Sequence, residues 1–166
     1  MNPTPTGSII RTPKGFDLVV PRTIRAGIDD VWASVTEPER TARWFGSWRG
    51  EAGEGRTIEL QMGFEEGAPW SDVRIEVCEP PRRLAITMVD EHGSWHLELA
   101  LTEVPDGTQV RLVQHLVDVS GVGDVGPGWE YYLDLLVASH DGGSQPEFDD
   151  YYPAQSEYYA GAADQA

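Results

Sequence analysis

The sequence predicts an α+β domain: a curved antiparallel sheet of about six to seven strands covered on its concave face by one long C-terminal helix. Two observations carry this. From Ser47 to Asp118 apolar residues recur at alternate positions between breaks rich in Gly and Pro, the signature of a strand meander. In GPGWEYYLDLLVASHDGG, residues Trp129, Tyr132, Leu133, Leu136, Val137 and His140 recur at helical spacing instead.

Residues 1–14, rich in Pro, Thr and Gly without periodicity, are expected to be a flexible lead to a domain spanning 15–143. Strand one is FDLVVPRTI, with Phe16, Leu18 and Val20 alternating and Pro21 marking an edge or bulge. Asp29 and Asp30 stand where an N-cap belongs, and Val31, Trp32 and Val35 follow at one-turn spacing, giving a first short helix. Thr36 and Glu39 form a capping-box pattern with Pro38 in the first turn, giving a second that ends by Gly46. The meander strands centre on Ile58/Leu60/Met62, Val73/Ile75/Val77, Leu84/Ile86/Met88, Trp95/Leu97/Leu99/Leu101 and Val110/Leu112/Gln114/Leu116, each with one dry and one wet face. The long helix is expected to start after Pro127-Gly128 and to stop at Gly142-Gly143. Residues 144–166 form an acidic, tyrosine-rich tail.

The chain has 166 residues, enough for one substantial core, and a formal charge of −16 from 12 Lys+Arg against 28 Asp+Glu. That charge repels phosphate backbones and anionic membranes, so neither nucleic acid nor membrane is expected as a partner. The single Cys78 allows no intrachain disulfide and no CxxC pair. The N-terminus lacks a charged region followed by an apolar run, and no stretch of about eighteen apolar residues occurs, so a cytoplasmic location is expected.

Catalytic motifs are missing. His92, His96, His115 and His140 show no metal-ligand spacing; His92 sits in a turn, and His96 and His115 fall on the wet side of their strands. His140 stands near the helix C-terminus, where the dipole favours a cation. There is no GxSxG elbow and no glycine-rich loop in a βαβ unit, so no metal, nucleotide or other cofactor is expected. Gln114 shares the dry face with Val110, Leu112 and Leu116, so its amide needs a side chain, a trapped water or a ligand. The aromatics Trp44, Phe45, Trp70, Trp95, Trp129 and Tyr132 are placed where the short helices, the sheet and the long helix meet. With the inward Leu60, Met62, Ile75, Ile86, Met88, Leu97, Leu112, Gln114, Leu133 and Leu136 they make up the candidate ligand-binding surface.

The order strand, two short helices, meander, long helix resembles the helix-grip architecture of START-like domains, the birch-pollen allergen group and polyketide aromatase/cyclases. DDVWASVTEPERTARWF, with Glu37-Pro38 leading to Arg43-Trp44-Phe45, and Gly128-Trp129 ahead of Leu133 and Leu136, resemble the bacterial branch named after the activator of the heat-shock-protein-ninety ATPase. The resemblance spans about residues 16–143 and rests on scaffold motifs, which specify fold rather than activity. It implies a cavity between the long helix and the sheet, of the kind used in the superfamily for lipids, plant hormones and polyketides. It does not imply co-chaperone work, because short bacterial members resemble only the helix-grip part of the eukaryotic namesake.

The leading expectation is non-catalytic binding of a hydrophobic, aromatic or polyketide-like molecule by a monomer or weak homodimer. A polyketide aromatase/cyclase-like enzyme is the alternative; it needs an acid or base in the pocket, and the inward candidates Gln114, Arg22 and Tyr132 are poor bases. A third expectation, also implied by the resemblance, is protection from an enediyne antibiotic by a protein consumed by the drug's radical.

Overall fold

The computed structural model describes residues 2–90 and 93–166. The turn expected at His92 lies outside the described residues. One antiparallel sheet carries eight strands: β1 (Ser8–Thr12), β2 (Gly15–Ile24), β3 (Trp48–Arg49), β4 (Thr57–Gln61), β5 (Trp70–Glu79), β6 (Arg83–Asp90), β7 (Gly93–Val104) and β8 (Gly107–Leu116). Their order is β1-β2-β8-β7-β6-β5-β4-β3, so the sheet stays open, with β1 and the two-residue β3 at its edges. Four helices accompany it: α1 (Ile28–Thr36), α2 (Pro38–Thr41), α3 (Val122–Asp141) and α4 (Ser156–Gln165). No helix among the described residues is long and apolar enough to cross a membrane.

The alternating apolar positions face one side. Leu18, Val20, Val73, Ile75, Met88, Leu97, Leu99, Leu101, Val110 and Leu112 are buried there with Trp129, Leu133 and Leu136 of α3. Each such aliphatic side chain contributes about 1.5–3 kcal/mol on leaving water. Phase is lost once. Between Ile75 and Val77 the pairing with β6 slips by one residue, so Cys78 rather than Val77 opposes the inward Leu84. Cys78 therefore joins the dry face, opposite to the side that strict alternation assigns it.

Local start signals also shifted. Gly27, not Asp29 or Asp30, caps α1, and the two aspartates occupy its first turn. Thr36 donates to the Trp32 carbonyl at 2.7 Å instead of capping α2, whose N-cap is Glu37. The long helix α3 begins at Val122, ahead of the expected start, after Gly121 in a left-handed conformation (φ 78°). Pro127 is thus an interior helix residue that lacks the N–H its turn would use. Val122 and Gly126 extend the buried stripe of Trp129, Leu133 and Leu136 backwards at the same spacing.

The lead, expected to be flexible, packs on α3, and so does the acidic tyrosine-rich tail, which lies along the domain. Residues 8–12 form β1, paired with β2 through Ser8↔Val19 and Thr12↔Gly15. Pro21 stands opposite Arg111 in the β2–β8 ladder but beyond the stretch that β1 pairs, which ends at Val19, so β2 is an edge there on its β1 side, as proline requires. The tail turns back in a 3-10 turn at Phe148–Asp150 and then forms α4. Tyr159 of α4 is fully buried; a Cβ at Gly126 would collide with its ring and one at Gly7 with its hydroxyl, so both positions must stay bare.

These segments converge on Glu130, whose side chain is 0% exposed. It accepts from the Thr6 N–H and hydroxyl at 2.6 Å each, the Gly7 N–H at 3.2 Å, Arg22 Nη2 at 2.8 Å and the Tyr159 hydroxyl at 2.5 Å. Arg22 also pairs with Asp134 at 2.7 Å, and Tyr151 donates to the other Asp134 oxygen at 2.7 Å. Burial pushes the Glu130 carboxyl up, but hydrogen bonds from Thr6, Tyr159 and Arg22 outweigh it and hold the group below its ordinary 4.5. Its stabilising contribution is therefore complete above about pH 4.5 and is lost as pH falls through the depressed folded value. Glu130→Ala should cost about 3–5 kcal/mol by leaving the Thr6, Gly7 and Tyr159 donors and one Arg22 N–H without their acceptor, and Tyr159→Phe about 1–3 kcal/mol. Denaturant melts across pH 3 to 7 should show the wild-type advantage over Glu130→Ala shrinking on the acid side; an advantage constant with pH would contradict an ionised Glu130.

Candidate functional site

Two apolar spaces lie over the inward face of the sheet, and Trp129 of α3 borders both. The inner one, about 140 Å³, is floored by Ile58, Leu60, Val73, Ile75, Ile86, Leu97 and Leu112. Trp44, Phe45 and Trp48, which follow α1 and α2, close it from above. Their indoles are pinned: Trp44 Nε1 donates to the Ser34 carbonyl at 2.9 Å and Trp48 Nε1 to the Thr36 carbonyl at 2.8 Å. Cys78 borders this space because of the β5 bulge, and burial followed by the Glu54 charge pushes its thiol up, away from the reactive thiolate.

The second space is a chamber of about 500 Å³ at the N-terminal half of α3. Met62, Met88, Trp95, Tyr131, Tyr132 and Val125 wall it, Gly128 leaves it open on the helix side, and Phe148 from the tail closes one flank. Phe45 and Trp129 border both spaces and so form the partition between them. The partition is held by ring packing, with Phe45 edge-on to Tyr132 at 5.3 Å and Trp95 edge-on to Trp129 at 6.3 Å between centroids. Tyr132 donates to Glu65 Oε2 at 3.1 Å. Burial, reinforced by the Glu65 charge, pushes the Tyr132 phenol far up, so it keeps its proton and serves as a donor. Trp95 Nε1 is buried with no partner among the described residues.

Of the residues proposed from sequence, Trp44, Leu60, Ile75, Ile86, Leu97 and Leu112 border the inner space, Met62, Met88, Trp95 and Tyr132 the chamber, and Phe45 and Trp129 both. Four stand elsewhere. Trp70 is 43% exposed on the outer face, beneath the Arg49 guanidinium at 3.9 Å, because it shares strand parity with Asp72 and Arg74 rather than with Val73. Leu133 and Leu136 are 0% exposed and border neither space, so they are core. Gln114 turns inward as expected, but its Oε1 accepts from Trp129 Nε1 at 2.8 Å; the amide positions the partition. Arg22 also faces α3, where Glu130 and Asp134 engage it.

Glu65, Glu66, Asp90 and Asp124, with Phe64, Val125, Tyr131 and Phe148, belong to the chamber but escaped the sequence reading. Asp124 and Val125 lie in the early turns of α3, and residues 64–66 in a loop without periodicity; only the 3.6-residue spacing back to Val122 pointed toward them.

The histidines stand apart. His115 bridges Asp17 (2.7 Å) and Glu98 (3.2 Å) on the outer face, and His96 lies 3.4 Å from Thr87. His140 meets Ser34 Oγ at 2.8 Å; burial lowers its affinity for a proton more than the Asp30 charge raises it, so it is a neutral ring rather than the cation its helix position suggested. Among the described residues no group of three or more His, Cys, Asp or Glu could hold a metal.

Residues 25–141 match the model of the family described as Activator of Hsp90 ATPase homolog 1-like protein. The crystal structure of CalU16 from Micromonospora echinospora is similar at 29% identity and a TM-score of 0.77, over 96% of this chain and 97% of that one. The solution structure of CalU16 gives 25% identity and a TM-score of 0.75, over 99% of both chains. DynU16, a protein in the dynemicin biosynthetic locus, shares the fold at 22% identity and a TM-score of 0.67, over 82% of this chain and 50% of its own. A search of curated protein sequences finds no match.

Two substitutions check the division between core and cavity. Leu136→Ala should cost toward the upper part of about 2–5 kcal/mol, because the side chain is fully buried and borders neither space. Gln114→Leu should destabilise by about 1–3 kcal/mol, since it strands the buried Trp129 indole N–H. Thermal melts measure both, and a stabilised Gln114→Leu would overturn the Gln114–Trp129 bond.

Proposed function

Since the chain belongs to the Activator of Hsp90 ATPase homolog 1-like family, we propose that it binds a hydrophobic, aromatic or polyketide-like small molecule without transforming it, in the chamber beside α3. The observation that carries this is the chamber itself: about 500 Å³, within the roughly 300–1,000 Å³ usual for ligand pockets, walled by aromatic rings and methionines. The inner space, at about 140 Å³, is too small for a multi-ring molecule by itself, but it lies directly behind the Phe45–Trp129 partition. Proton-transfer catalysis of the polyketide aromatase/cyclase kind is the alternative reading: no histidine borders the chamber among the described residues, but the carboxylates of Glu65, Glu66, Asp90 and Asp124 do, and Glu65 accepts from Tyr132, whose phenol keeps its proton.

A second reading, protection by self-sacrifice toward a radical-forming enediyne, draws on one feature. Gly128 borders the chamber with nothing within 4 Å of where a Cβ would stand, so its Cα–H is open to a bound molecule. The structural similarity to DynU16, from a biosynthetic locus for a natural product, is in keeping with this setting. Incubation with an activated enediyne should then give one discrete cleavage at or beside Gly128; an intact chain would exclude it.

Gly128→Leu tests the binding reading. A Cβ at this chamber-bordering position meets nothing within 4 Å, so a leucine has room to start into the chamber, and removing a helical glycine should raise stability by up to about 1 kcal/mol. Native mass spectrometry and ligand-observed NMR against lipid and polyketide panels should show ligands retained by the wild type and lost from this stable variant. Equal binding by both would place the ligand elsewhere.

A further inference from the structure

A buried donor without an acceptor forfeits about as much free energy as a lost hydrogen bond, so each instance calls for a physical reason. Among the described residues the buried side-chain atoms in this condition are Trp95 Nε1, Gln155 Oε1 and Ser156 Oγ. Gln155 and Ser156 stand at the start of α4 and border neither space. Trp95 borders the chamber and not the inner space. The indoles around it are all engaged: Trp44 donates to the Ser34 carbonyl, Trp48 to the Thr36 carbonyl and Trp129 to Gln114. An unmet indole is therefore particular to Trp95 in this part of the molecule.

The protein beside Trp95 offers its N–H no strong acceptor. The residue shares strand parity with the buried Leu97 and Leu99, so its side chain rises from the inward face of β7. Opposite it on β6 stands Met88, whose thioether is a weak acceptor, and edge-on at 6.3 Å lies the ring of Trp129. The unfilled volume that Trp95 borders is the chamber, so what the chamber holds is placed to supply the acceptor. A net charge of −16 disfavours an anion, which leaves a neutral oxygen. We infer that the chamber's ligand carries a carbonyl oxygen of the ketone or quinone class on its aromatic body, and that this oxygen accepts from Trp95 Nε1. The nitrogen is shut from water, so a small turn of the indole brings the two together. The inference rests on the binding reading above and adds to it one functional group and one contact.

Two three-ring probes of one shape test it on the full chain, fluorene and fluorenone, which differ by a single carbonyl. Water solvates that carbonyl, so fluorene is the better ligand of a chamber that offers no donor. Titrated by tryptophan fluorescence, fluorenone should instead bind the wild type about tenfold more tightly. Trp95→Phe strands no protein partner and so should fold, and in it the ratio of the two affinities should fall to one or below. In the 15N-labelled protein fluorenone should move the Trp95 indole N–H resonance downfield, identified as the signal missing from Trp95→Phe, and fluorene should not. If the wild type binds both probes through the chamber without preferring fluorenone, apolar binding stands and the carbonyl contact falls. If Trp95→Phe keeps the full preference, the donor lies elsewhere and the inference is overturned. If neither probe binds the wild type, or Gly128→Leu binds both undiminished, the binding reading fails and the inference with it.

Discussion

The carboxylate of Glu130 is shut away from water in the middle of α3, and a buried charge is tolerated only where donors surround it. Those donors come from the N-terminal lead (Thr6, Gly7), from β2 (Arg22) and from α4 (Tyr159). Satisfying one side chain therefore fixes both chain ends against the helix. It also fixes the rotation of α3 about its axis, because Glu130 can meet its donors only when the next residue back, Trp129, points toward the sheet. The polar clasp and the apolar stripe are two faces of one helix, and each holds the other in register.

That rotation builds the chamber. With Trp129 turned to the sheet, its indole donates to Gln114 and its ring packs against Phe45, Trp95 and Tyr132. The result is a partition across the concave face, with a small dry space behind it and a larger one in front. The tail contributes directly, since Phe148 borders the larger space and Tyr151, bonded to Asp134, anchors the turn that carries it. The chamber is thus built from the partition, from the 62–66 loop and from a C-terminal segment that a domain ending at residue 143 would not include.

The electrostatic layout is uneven in a way that net charge hides. Arginines are spent on the outer sheet face and on the Glu130–Asp134 clasp, where they neutralise acids locally. Glu65, Glu66, Asp90 and Asp124 stand at the chamber border, where Glu65 accepts from the Tyr132 phenol. The formal charge of −16 thus reaches the edge of an aromatic-walled space as well as the solvated surface.

By itself the sequence determined the strands of the meander, the apolar face of each, and the helix that covers them, because periods of two and 3.6 are local properties of side-chain direction. It also determined most of the lining, since inward parity and lining coincide for Leu60, Ile86, Leu97 and Leu112. Even Trp70 was legible as outward from its parity with Asp72 and Arg74. Tertiary structure decided the rest. Glu130 meets Thr6 across 124 residues, a pairing with no period to betray it, and the same contact orders the lead and the tail that composition marked as loose. The bulge in β5 broke the parity rule and turned Cys78 inward, because one extra residue reverses every later side chain. Which inward residues pack solidly, as Leu133 and Leu136 do, and which face a cavity depends on how far α3 stands from the sheet, a distance set by contacts among residues remote in sequence.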